Sequence, residues 1–177
     1  VGADAIADLG LALRPEGIIL CEDGSISPVA LDNLSGRNLT QALRGYVNRA
    51  MKGIEDAALV VGTSKDLMEA VAAHVIQEVW GSYPSTANFP SLLGQAFVAL
   101  DISTPEQKPV QGEHQRCRLE RSLYETACSI NHLRNKQGSG HGRPWVPDLR
   151  ASEAKAAVEF IGAISELMLD NLERKKP

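Results

Sequence analysis

The residues of this chain best suited to chemistry lie in Arg134-Asn135-Lys136-Gln137-Gly138-Ser139-Gly140-His141-Gly142. Arginine offers a permanently charged planar fork that matches phosphate oxygens, and histidine gives and takes a proton near neutrality. Lys136 and Arg143 flank the pair and make a local basic patch on an otherwise acidic protein. These are parts for phosphodiester cleavage without a metal. A ribose 2′-hydroxyl attacks, His141 moves a proton, and Arg134 neutralises the pentacoordinate phosphorane. The glycines permit tight backbone shapes, so the segment can fold His141 back towards Arg134. The same residues also make an ordinary helix end, with a basic last turn and a glycine stop.

Other chemistries fare worse. His74, His114, His132 and His141 show no HxxxH or HExxH spacing, and no acidic cluster accompanies His141, so no metal and no cofactor is expected. His74 and His132 fall within or near the end of helices and read as partly exposed. Gly62-Thr63-Ser64-Lys65 lacks the first glycine and the preceding strand of a phosphate loop. Cys21, Cys117 and Cys128 are odd in number and have no CxxC spacing, which fits reduced thiols in a cytosolic protein. Lys65 and Glu69 sit one turn apart beside an apolar helix face. They are able to bridge elements or to orient a site.

The elements that must hold these residues follow from the apolar periodicity. A weak helix over 3–13 precedes β-like Gly17–Cys21, the hairpin signal Asp23-Gly24 and a return at Ser25–Ser27. Leu39, Leu43, Tyr46, Val47 and Ala50 predict a helix that ends near Gly53. A second helix runs from an Asp56 cap to Trp80, with Val60, Val61, Leu67, Met68, Val71, Val75 and Val79 on its apolar face. Pro90 opens a short helix over 91–100, and the prolines of Asp101–Gly112 mark a flexible connection. In the long helix that follows, Leu119, Leu123, Ala127 and Ile130 form a stripe in which Arg134 takes the next apolar slot. Ser152 is read as the cap of a last helix that frays over 173–176. The expected fold is all-α, a bundle of about five helices behind a short N-terminal hairpin. Residues 1–33 form the appendage and 34–177 the helical domain.

The 177 residues are 44% hydrophobic and carry a net charge of −4. That length supports one substantial core, and no apolar run approaches the roughly 20 residues that span a bilayer. A cytoplasmic protein without membrane contact is expected. Net negative charge argues against a general nucleic-acid coat, so any contact with RNA must come from a local basic cluster. The valine start, with no basic and apolar leader, reads as a chain that lacks its native beginning.

Three segments, in order, resemble the Abi-C family, the C-terminal domain of abortive-infection proteins within the HEPN superfamily. Gly62-Thr63-Ser64-Lys65-Asp66-Leu67-Met68-Glu69 is similar to its GxxKxLxE segment. Asn88-Phe89-Pro90-x-Leu92-Leu93 and Leu133-Arg134-Asn135-Lys136-x-Gly138-x-Gly140-His141-Gly142 complete the likeness, and the last carries the RxxxxxxH form of the HEPN motif. The similarity spans about residues 40 to 170. It implies a HEPN-like helical bundle, usually a homodimer in which two motifs meet in a composite ribonuclease site for RNA. Arg134 and His141 would then be catalytic, and Asn135 would position the RNA or the histidine. Lys136, Arg143, Lys65 and Glu69 would lie along the RNA. The resemblance implies a metal-independent endoribonuclease of phage defence. The alternative it leaves open is a non-catalytic dimerisation, sensor or RNA-binding module of a larger defence protein.

Overall fold

The computed structural model describes residues 9–13, 18–20, 26–28, 36–52, 57–137 and 150–175; for 18–19, 26–28, 46, 48–52, 57–65, 134–137 and 151 it is the backbone course that is described. Residues 9–13 are helical (α1). Ile18–Leu20 (β1) pairs antiparallel with Ile26–Pro28 (β2), Ile19 opposite Ser27. The helices that follow are α2 (Gly36–Lys52), α3 (Ala57–Trp80), α4 (Phe89–Ala99), α5 (Gln115–Gln137) and α6 (Ala151–Lys175). The protein is all-α, as the periodicity predicts, with the ribbon as its only described sheet.

Helix α3 is the axis of the bundle, packed by α2, α4, α5 and α6. Its buried residues accordingly spread over more than one face. Met68, Val71 and Val75 of the expected face are fully buried, and so are Ala72 and Ile76 beside it. A buried arc this broad exceeds the single stripe of a surface helix, while Asp66 and Gln77 keep the remaining side of α3 exposed. His74 is part of this buried arc. It is 4% exposed, where the sequence reading has it partly exposed, and its Nε2 is hydrogen-bonded to Thr40 Oγ1 at 2.8 Å. Thr40 also donates to the Gly36 carbonyl, while Glu78 accepts the Gly36 N–H, so the start of α2 is tied to α3 by polar bonds.

Asn88 caps α4 by accepting the Ser91 N–H at 3.0 Å, and Pro90 occupies the first turn, where its missing N–H costs nothing. The connection after α4 is less free than its prolines imply. Ile102, Ser103 and Thr104 are buried, and the Ser103 N–H is held by Glu120 of α5 at 2.9 Å. Lys175, expected to fray, donates to the Ala99 carbonyl and to Asp101, both at 2.7 Å. It closes the C-terminal end of α4, where a cation also meets the negative end of the helix dipole. Ser152 is not the cap of α6. The Arg150 carbonyl accepts from Glu153 and Ala154, and Glu153 reaches back to the Arg150 N–H, the acidic half of a capping box.

Arg44 joins α2 to α6 through Glu166, through Asp170 at 2.7 Å and through Glu173 at 3.1 Å. Arg44→Ala leaves three carboxylates crowded at i, i+4 and i+7 with no cation between them. It is expected to cost about 1–2 kcal/mol in urea unfolding, and less in 1 M salt than at low ionic strength. Among the described residues no helix is long and apolar enough to cross a membrane.

Candidate functional site

The site rests on α5, so the rotational setting of that helix decides which way its last turn faces. Three contacts fix it. Glu120, 8% exposed, accepts from Ser103 and faces Arg116 Nε at 3.1 Å. Tyr124 donates its phenol proton to the Pro90 carbonyl at 2.9 Å, and its ring meets Phe97 edge-on at 5.8 Å. Ala127, fully buried, belongs to the core cluster. The inward face is therefore Glu120, Tyr124, Ala127, Ile130 and Asn131.

This corrects the predicted stripe at its start. Leu119 is 57% exposed and Leu123 half-buried, because the stripe is rotated towards the edge of the core. The sequence reading missed Glu120 and Asn131, since polar residues were assigned outward by type. The signal was present in their spacing: 120, 124, 127 and 131 step by four, three and four. Asn131 is 6% exposed, and its Oδ1 has no hydrogen-bond partner among the described residues. A buried acceptor left unmet is costly, typically about 1–3 kcal/mol.

Arg134 follows Ala127 by seven residues, almost two full turns, so its backbone position lies within about 20° of the inward face. Asn135 and Lys136 share that last helical turn. The side chains of all three lie outside the described residues, as do His141 and Arg143 altogether. The expected approach of Arg134 to His141 falls there too. Lys65 and Glu69 lie one turn apart on α3, a helix that α5 packs against. Glu69 is half-buried and engaged in a polar interaction. The side chain of Lys65 is outside the described set. The C-terminal end of α5 presents carbonyl oxygens and the negative end of the helix dipole. A phosphate at that end would depend on Arg134, Lys136 and Arg143 for its attraction.

Beside the approach to Arg134 runs a groove between α5 and α6, about 720 Å³ in volume, bounded by Ser129, Ile130, Leu133, Ala156 and Phe160 among others. Phe160 is half-exposed there, and the acidic residues on its rim are Glu125 and Glu153. An apolar floor with carboxylates at the edge suits a protein surface better than a phosphate backbone. Among the described residues, no group of three or more His, Cys, Asp or Glu is arranged to hold a metal ion.

The family model Abi_C, described as a HEPN-like domain, matches residues 38–172, which takes in α3, α4, α5 and most of α6. Neither a curated protein nor a solved structure matches the chain.

Proposed function

Since the chain belongs to the Abi_C family of HEPN-like domains, we propose that it is a metal-independent endoribonuclease acting in abortive infection, in the cytoplasm. The observation that carries this reading is the register of Arg134. A helix whose preceding turns are set by Glu120, Tyr124 and Ala127 carries the backbone of Arg134 in its last turn within about 20° of the inward register, seven residues before His141 in sequence. In this reading Arg134 binds the scissile phosphate in a bidentate manner and stabilises the phosphorane. His141 transfers the proton between the 2′-hydroxyl and the 5′-oxygen that leaves, and Asn135 orients the RNA or the imidazole. Lys136, Arg143 and Lys65 supply counter-charge along the strand, with Glu69 beside Lys65. One motif histidine per chain fits a homodimer in which the acid and the base come from two copies. The half-exposed Phe160 and the apolar lining of the α5–α6 groove favour an interface there.

The test is incubation with total RNA in EDTA. Cleavage should persist and leave 2′,3′-cyclic phosphate and 5′-hydroxyl ends, and DNA, which lacks the 2′-hydroxyl, should stay intact. Cutting that requires a divalent ion would sink the mechanism. The second reading, a non-catalytic dimerisation or RNA-sensing module, is favoured by the acidic rim of the groove and the net charge of −4. It predicts a dimer by light scattering and no cleavage at all.

A further inference from the structure

A second concavity lies on another side of α5, where it meets α4 and the end of α3. Its volume is about 380 Å³, and its walls include Trp80, Pro90, Gly94, Val98, Tyr124 and Glu106. Trp80 ends α3 and keeps 49% of its surface exposed, and Val98 keeps 48%. Two bulky apolar side chains left open on one rim make an apolar surface that single scattered residues do not. The floor is a close packing of backbone against ring: Gly94 has no side chain, and a Cβ built there would stand 3.6 Å from the Tyr124 ring. The phenol proton of Tyr124 is already given to Pro90, so the ring and not the hydroxyl is on offer.

The one charge among the residues of this wall is a carboxylate. Glu106 follows the buried Thr104, whose hydroxyl donates to it; that bond and the Glu106 backbone N–H hold the carboxyl below the ordinary range, so it is ionised at neutral pH. Among the described residues no lysine or arginine lines the cavity. A phosphate or other anion would therefore meet a carboxylate there and no described cationic side chain. An indole face, an apolar floor and a fixed carboxylate together attract a cation that carries an apolar body.

We propose that this cavity binds a small organic cation of the guanidinium or alkylammonium class, stacked on Trp80 with its charge against Glu106. Tyr124 stands ten residues before Arg134, about 15 Å along the helix, so the site is separate from the arginine and histidine motif. The ribonuclease reading is not needed for it.

Agmatine, with a guanidinium and an ammonium on a butyl chain, is the probe, and tryptophan fluorescence of the full chain is the readout. Saturable quenching is expected for wild type, and calorimetry, which does not depend on the indole, should show affinity weakened in Trp80→Leu by roughly 3- to 30-fold, the range of a cation–π contact. Glu106→Gln, which keeps the shape and removes the charge, should weaken binding by roughly 2- to 5-fold, read by calorimetry alongside fluorescence. Gly94→Val, which fills the floor, should abolish binding; Gly94→Ala serves as its milder partner if the valine fails to fold. Absence of saturable binding to wild type, or unchanged affinity in Glu106→Gln, would overturn the proposal. So would binding of guanosine in place of agmatine, which would make the cavity a nucleobase site. Response to an arginine-containing peptide alone would assign it to a partner protein's side chain and overturn the small-ligand reading.

Discussion

Replacing His141 by alanine is expected to lower the rate of RNA cleavage by roughly 10²–10⁴-fold, the usual worth of a positioned general acid or base. Alanine removes the proton carrier and leaves Arg134 able to bind phosphate, so RNA affinity should fall far less than turnover. Arg134→Lys should behave differently. An ammonium keeps the charge but loses the two-pronged fit, and both affinity and rate should suffer. Circular dichroism separates lost chemistry from lost structure, and both variants should keep wild-type helicity. A His141→Ala protein that cuts as fast as wild type would transfer the assignment to the binding-module reading.

Phe97→Ala is expected to have the largest effect on stability, about 3–5 kcal/mol of a total that for such domains is roughly 5–15 kcal/mol. Phe97 is wholly buried, is the largest of the fully buried side chains, and holds the Tyr124 ring edge-on. Its removal opens a cavity at the junction of α4 and α5 and withdraws an aromatic contact worth about 0.5–1.5 kcal/mol beyond its area. Urea unfolding should show a lower midpoint with an unchanged slope. A loss below about 1 kcal/mol would mean that this junction can collapse around the gap, and that Tyr124 does not depend on Phe97 for its setting.

The long helices were legible because their apolar spacing is regular. Leu92, Leu93 and Phe97 of α4 and Ala154, Ala157, Val158, Ile161, Ile164 and Met168 of α6 are all buried as the periodicity predicts. Periodicity served less well where tertiary partners satisfy polar groups. Nothing local marks Ser103 as buried until Glu120, seventeen residues on, takes its N–H. Likewise Lys175 reads as a fraying tail because its partners, Ala99 and Asp101, lie more than seventy residues earlier. The angle of α5 was misread by one position at its start for the same reason. A buried carboxylate was counted as solvent-facing, and Leu119 was placed inward in its stead. The candidate site was visible as a motif, Arg134 with His141, and its helical half lies where the spacing puts it. The cavity beside Trp80 was not visible, because its walls come from four separate stretches of the chain.

The central position of α3 has a consequence for how the protein is made. Its most extensive neighbour, α6, leaves the ribosome well after it, with α4 and α5 made in between. Between Trp80 and Leu172 lie 92 residues (172 − 80), roughly 5–18 s of synthesis at about 5–20 residues per second. For that interval Val71, Val75 and Ile76 lack the cover that Ile161, Ile164 and Met168 later supply. The nascent chain therefore carries a bare apolar helix surface through that interval, a surface that holdase chaperones bind. A message that stops before α6 would release this surface permanently, and the product should aggregate even though α2, α3 and α4 are complete.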